Sequence, residues 1–108
     1  MQIHKIADNY SVSGQITPAD VPTIKAAGFN TIMCNRPDGE SFGQPSSAMI
    51  KKAAEDLGMK FYYVPQGHSG ISMNTLADFR KVIADGEPVF AYCRSGNRCA
   101  MLWNAAHS

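Results

Sequence analysis

The sequence predicts an α/β fold: a compact three-layer domain with a mostly parallel sheet of about four to five strands and helices on both faces. Three observations carry that prediction. Short runs of β-branched and aromatic residues alternate along the chain with segments of helical periodicity. Each helical segment has its own start and stop signals, and the connections between segments are short. Strand–helix repetition of this kind leads to parallel pairing with helices covering the sheet. At 108 residues the chain fits one domain, 1–108, with room for a single sheet and its cores.

The elements follow in order. Ile3 to Gln15 places an Asp8-Asn9 turn signal between the short apolar alternations Ile3, Ile6 and Tyr10, Val12, which reads as a hairpin or two short strands. Thr17-Pro18-Ala19-Asp20 is a helix start, with Thr17 as N-cap, proline at the first helical position and a carboxylate three residues after the cap. Val21, Ile24 and Ala27 form the stripe of that helix and Gly28 ends it. Asn30–Asn35 reads as a buried strand, followed by a loop from Arg36.

Pro45 opens a second helix with the stripe Met49, Ile50, Ala53, Ala54 and Leu57, closed by Gly58. Lys60–Val64 is the next strand, stopped by Pro65. Ser72 caps a third helix with Leu76, Phe79 and Ile83, which ends before Gly86. Val89–Tyr92 is the last strand. A final helix runs from about Asn97 through Met101, Leu102 and Trp103 as ordinary helix burial.

Composition narrows the function. An apolar content of 44% with a net charge of +1 excludes a disordered chain. Without a broad basic field, neither nucleic acid nor an anionic membrane is an expected partner, so any bound anion must be held by a local site. The longest apolar runs are far short of a membrane span, and Met1–Tyr10 lacks a signal-type apolar stretch. Three cysteines do not make a disulfide framework, and no metal-ligand spacing links His4, His68 and His107. The expectation is a cytoplasmic protein with reduced thiols, no metal and no cofactor.

In parallel sheets ligands bind outside the carboxyl ends of the strands, which selects the loops 36–44, 65–71 and 93–98. The last of these, Cys93-Arg94-Ser95-Gly96-Asn97-Arg98, has the residues of a thiolate and anion cradle. Successive N–H groups of a tight turn and the start of a helix point into one concavity, and every such dipole favours negative charge. A cysteine placed there is a nucleophile, so Cys93 is the candidate catalytic residue. Gly96 lets the backbone bend, Arg98 folds back with a planar fork of donors, and Arg94 adds charge at the rim. The amides of Arg94, Ser95, Gly96 and Asn97 are the candidate anion-binding groups.

Cysteine-centred loops of this kind resemble those of cysteine-dependent tyrosine and dual-specificity phosphatases and of rhodanese-type sulfurtransferases. The segments "VSGQITPADVPTIKAAGFNTIMCNRPDGE", "FYYVPQ" and "VFAYCRSGNR" with "LW" after it extend the likeness over nearly the whole chain. Together they resemble the phosphatase-like domain of beta-lactamase-hydrolase-like proteins, whose members are also labelled sulfur transferases. The resemblance implies a compact tyrosine-phosphatase-like fold. The metallo-hydrolase domain fused in some members is not in this sequence, so a separate beta-lactamase-like hydrolase is an expected partner.

Three departures from the phosphatase pattern shape the expected reaction. Phosphatases carry five residues between cysteine and arginine, whereas four lie between Cys93 and Arg98, matching the rhodanese pattern Cys-Arg-x-Gly-x-Arg. The phosphatase general acid has no counterpart in "VPQGHSG", which offers Gln66 and His68; its loss slows ester hydrolysis by roughly a hundred-fold or more. Cys99 stands where phosphatases have a serine or threonine. These departures favour sulfur transfer through a Cys93 persulfide, from a thiosulfate or glutathione-persulfide type donor to a small thiol acceptor. The alternatives are a phosphatase acting on phosphotyrosine or small phosphate monoesters through a phosphocysteine, and a non-catalytic thiol redox sensor.

The accessory candidates each have a plainer reading. His68 is either a proton donor at the mouth or an exposed loop histidine. Asp38 and Glu40 either reach the site or form an Asp-Gly turn with a solvated glutamate, and Arg36 either binds anion or pairs with one of them. Cys34 reads as a core residue. Cys99 is either core or a thiol that resolves Cys93.

Overall fold

The computed structural model describes residues 1–108. The chain runs β1 (His4–Ala7), β2 (Tyr10–Ser13), a 3-10 turn at Pro18–Asp20, α1 (Val21–Ala26), β3 (Thr31–Cys34), α2 (Ser47–Asp56), β4 (Lys60–Tyr63), α3 (Met73–Ile83), β5 (Val89–Tyr92) and α4 (Asn97–Ala106). The five strands form one sheet in the order β1-β2-β5-β3-β4. Only β1 pairs antiparallel, through the hairpin at Asp8-Asn9; the other pairings are parallel. The predicted architecture is the observed one.

Two cores sandwich the sheet. Val21 and Ile24 of α1 and Ile50 and Ala54 of α2 pack with Ile32, Phe90 and Tyr92 on one face. Phe79 and Val82 of α3 and Cys99 and Leu102 of α4 pack with Tyr10, Met33, Ala91 and Cys93 on the other. Tyr10 is the keystone of that second core. Its ring stacks on Trp103 at 4.6 Å and meets the edge of Phe79 at 5.7 Å, and its hydroxyl donates to the Cys99 carbonyl at 2.9 Å.

Local signals act as the sequence implies. The Asp20 carboxylate accepts from the Thr17 N–H at 2.9 Å, and the Ser46 and Ser72 hydroxyls accept from the N–H groups of Met49 and Thr75. Four details differ. The first helix begins as a 3-10 turn before Val21, and the second starts at Ser47, with Ser46 rather than Pro45 at its entrance. Ala27, Met49 and Met101 face solvent, the last two at 53% and 57% exposure. Each helix touches the sheet along a strip narrower than its apolar stripe, so residues on the stripe's edge are left outside. Finally, β1 and β4 are mostly exposed because they are the sheet edges.

Register decides where the chemistry sits. Ser13, Tyr92, Cys34 and Tyr63 lie side by side at the carboxyl end of the sheet. The residues that follow them, Gly14, Cys93, Asn35 and Val64, therefore leave the sheet at one edge. The face covered by helices changes at the central strand β5, which makes its carboxyl end the crevice of this topology.

Candidate active site

Cys93 occupies that crevice. Its N–H donates to the Ser13 carbonyl at 3.2 Å, extending the β5 ladder by one residue before the loop turns. Gly96 sits at φ 93° as the entrance residue of α4, a left-handed conformation that only glycine adopts without strain. That turn aims the Gly96 N–H at the Cys93 sulfur, 3.0 Å away. A Cβ on Gly96 would meet the Ser13 backbone at 3.5 Å, an ordinary contact, so the requirement for glycine lies in the left-handed backbone. Gly14 is needed for a related reason: a Cβ there would lie 3.0 Å from the Arg94 carbonyl, the group that accepts from Gln15 N–H. A Gly96→Ala variant is expected to lose about 1–2 kcal/mol of stability from the left-handed backbone alone. It should also lose the aimed N–H, which urea unfolding and thiol reactivity measured together would register.

The sulfur of Cys93 is charged at neutral pH. Cys93 is fully buried, and burial alone would raise its pKa. The Cys99 thiol donates a hydrogen bond to it and is the largest influence in the other direction; the N–H groups of Cys99, Ser95 and Arg98 add to this, and the result is a pKa of about 5. The two thiols divide one proton unequally. Burial holds Cys99 well above the ordinary thiol range, and the neighbouring Cys93 charge pushes it further. Alkylation of Cys93 by iodoacetamide should therefore rise with pH through a midpoint near 5 and be flat above about 6.5. A midpoint near 8.5, the value of an ordinary thiol, would contradict that environment.

Arg98 folds back as expected, but onto a partner the sequence does not single out. Its Nη1 and Nη2 donate to Glu40 Oε2 and Oε1 at 2.7 and 2.9 Å, and Nη1 also donates to the Gln66 carbonyl at 2.8 Å. Arg36 Nε donates to the same Glu40 Oε1 at 2.9 Å, while its Nη1 and Nη2 reach Gln15 Oε1 and Ser41 Oγ at 3.1 Å. Glu40 thus bridges two arginines, with His68 Nε2 a further 3.5 Å from Oε2. The Arg98 guanidinium, followed by that of Arg36, holds its carboxyl down at about 2. Of the two readings of Glu40, a partner for an arginine at the site is the one that holds and the solvated turn residue is corrected: it is 17% exposed and is the hub of the site.

The remaining candidates separate cleanly. Asp38 does not face the cradle; its carboxylate accepts from the Ser47 N–H and hydroxyl, both at 2.7 Å, and so fixes the start of α2. His68 stands exposed at the mouth, lining with Gln66, Ile71, Arg98 and Met101 a cavity of about 150 Å³. Arg94, Ser95 and Asn97 are exposed on the loop, and the Ser95 hydroxyl accepts from the Asn97 N–H at 3.3 Å. Arg36 lies inside the site but is committed to Glu40. Cys34 is a core residue on the opposite face of the sheet, its thiol donating to the Arg36 carbonyl at 3.2 Å. Gln15 is the site residue for which the sequence carries no signal. Glu40 had one usable signal, its position four residues after an arginine at a strand end.

Comparison with known proteins places this geometry in a family. The family model for the beta-lactamase hydrolase-like protein, phosphatase-like domain, matches residues 2–108. The beta-lactamase hydrolase-like protein of Agrobacterium fabrum is 36% identical over 104 residues, 95% of this chain and 24% of that protein. Its namesake in Xylella fastidiosa is 31% identical over the same share of each chain. The chain thus spans about a quarter of the length of these curated relatives. A solved structure from Neisseria meningitidis, provisionally described as a phosphatase, has a TM-score of 0.85 at 40% identity, covering 95% of this chain and 74% of that one. The core catalytic domain of a yeast PP-IP phosphatase shares the fold at a TM-score of 0.64 and 14% identity, over 87% and 56% of the two chains. The family model and the Neisseria structure carry phosphatase descriptions, and none of these descriptions names sulfur transfer. The chain belongs to the phosphatase-like domain family of the beta-lactamase hydrolase-like proteins.

Proposed function

We propose that this domain is a cysteine-dependent sulfurtransferase in which Cys93 carries the transferred sulfur. The reading rests chiefly on one observation: no carboxyl group at the cradle is free to act as an acid. Glu40 is held ionised by Arg98 and Arg36, and Asp38 is spent on the start of α2. A phosphate monoester needs a proton for its leaving group, whereas a thiolate or sulfite leaves without one. The short spacing from Cys93 to Arg98 agrees, since it makes a cradle closer in size to a persulfide than to a tetrahedral phosphate.

The proposed cycle has two half-reactions. The Cys93 thiolate attacks the outer sulfur of a donor such as thiosulfate, forming a Cys93–S–S⁻ persulfide and releasing sulfite. The loop N–H groups, with Gly96 N–H already on the sulfur, stabilise the charge as it moves outward. A thiolate or cyanide acceptor then takes the outer sulfur and returns the Cys93 thiolate. The thiol acceptor in this reading is a small thiol, and the proposed protein partner is a separate beta-lactamase-like hydrolase.

A second reading, hydrolysis of a phosphate monoester through a Cys93 phosphocysteine, is the one the family descriptions favour. His68 at the mouth is then the proton donor. Steady-state assays separate the two. The expected result is Cys93-dependent transfer of sulfur from thiosulfate or glutathione persulfide to cyanide, with aryl phosphate hydrolysis at least about a hundred-fold slower. Efficient aryl phosphate turnover that falls in a His68→Ala variant, with no sulfur transfer, would overturn the sulfur reading in favour of the phosphatase.

A further inference from the structure

We infer that Cys99 is a resolving thiol for Cys93: it attacks the Cys93 sulfur when that sulfur carries a leaving group, closing a Cys93–Cys99 disulfide. The sulfur-loaded form of this step rests on the sulfur-transfer reading; the oxidised form does not. The sequence offers three cysteines, and the fold sorts them. Cys34 lies in the core on one face of the sheet, while Cys93 and Cys99 share the core on the other. Both are fully buried, at the two ends of the cradle that Gly96 turns.

The Cys99 backbone is pinned from behind by the Tyr10 hydroxyl on its carbonyl at 2.9 Å, and Tyr10 is itself fixed by Trp103 and Phe79. Its thiol shares that buried core with the Cys93 sulfur, and each sulfur is a main influence on the ionisation of the other. Both thiols lie in one buried cluster, six positions apart along the turn, and a bridge closes them to a bonded separation of roughly 2 Å. The Cys93–Cys99 contact thus has what a resolving pair requires: a thiolate that reacts first and a protonated thiol beside it that keeps its proton until a leaving group needs it.

The chemistry balances in both forms. In the loaded form, Cys99 sulfur bonds to Cys93 sulfur, the sulfur–sulfur bond of the persulfide breaks, and the Cys99 proton leaves with the outer sulfur as hydrosulfide. The sulfane sulfur is reduced to sulfide while the two cysteines are oxidised to the disulfide. In the oxidised form, hydrogen peroxide converts the Cys93 thiolate to a sulfenic acid and releases hydroxide; Cys99 then displaces the sulfenic oxygen, and its proton leaves with that oxygen as water. An external dithiol returns the pair to its starting state. A loaded domain that meets no acceptor would thus release its sulfur as sulfide and wait, inactive but undamaged, for a reductant.

The test treats the intact protein with one equivalent of hydrogen peroxide in one arm and of glutathione persulfide in the other, then blocks free thiols and digests with trypsin. Arg94 and Arg98 lie between the two cysteines, so each falls on its own peptide and a bridge appears as a linked pair. The expected result is the Cys93–Cys99 linked peptide in both arms, one equivalent of sulfide in the persulfide arm, and loss of both in Cys99→Ser. In that variant the persulfide or sulfenic acid should instead persist on Cys93. A bridge in the peroxide arm with no sulfur ever loaded would uphold the resolving thiol and sink the sulfur-transfer reading. Cys93 left as a persulfide or over-oxidised in the wild type, with Cys99 recovered as a free thiol, would overturn the proposal. The wild-type peptide map decides this even where Cys99→Ser folds poorly.

Discussion

A Cys93→Ser variant is expected to lose at least about a thousand-fold in the rate of sulfur transfer while keeping a melting temperature close to that of the parent. A serine hydroxyl is not ionised near neutral pH and cannot carry sulfane sulfur, whereas the parent thiol is ionised above about 5. Stability should change little because serine is near the size of cysteine and still faces the Gly96 N–H and the Cys99 thiol. Rate assays paired with thermal unfolding separate these effects. Equal loss of fold and activity would mean that Cys93 is chiefly a core residue.

Removal of the Glu40 carboxylate should be the most damaging change to stability at the site. In Glu40→Ala, Arg36 and Arg98 face each other with no counter-charge, the first 6% and the second 10% exposed at the side chain. Stranding partly buried charges in this way should cost about 2–3 kcal/mol, and Arg98 loses the two bonds that fix its plane. The variant should therefore unfold at lower urea and transfer sulfur more slowly.

The pH dependence gives a second handle on the same group. Arg98 and Arg36 depress the folded-state pKa of Glu40 to about 2, below its ordinary value of 4.5. A depressed carboxyl contributes stability above its unfolded pKa and loses it as pH falls through the folded one. Wild-type stability should fall as pH drops from about 4.5 toward 2, and Glu40→Gln should lack that part of the slope. Identical acid profiles for the two proteins would contradict the bridging role.

Much of this fold is written in local signals, and those signals are where sequence reading succeeds. The Asp8-Asn9 turn, the Ser72 cap and the terminating Gly28 and Gly58 each act within a few residues of themselves, so neighbouring chemistry suffices to read them. The cradle is legible for the same reason: Cys93, Gly96 and Arg98 lie within six consecutive residues. Glu40 is not, because its pairing with Arg98 spans 58 positions and depends on the register that brings the ends of β3 and β5 together. Asp38 fails as a candidate for a similar reason, since its partner Ser47 lies at the far end of a loop. The exposed edge residues Met49 and Met101 mark another limit, because periodicity shows which face is apolar but not how wide a strip the sheet will cover.

The most direct test of the account is the mass of the covalent intermediate. The protein would be mixed with glutathione persulfide and an aryl phosphate together, quenched in acid within a turnover, and weighed intact beside Cys93→Ser and Cys99→Ser. The expected mass is that of one added sulfur atom, transient in the wild type and persistent in Cys99→Ser, absent from Cys93→Ser and discharged by cyanide. The mass of an added phosphoryl group on Cys93, with no sulfur adduct, would contradict it.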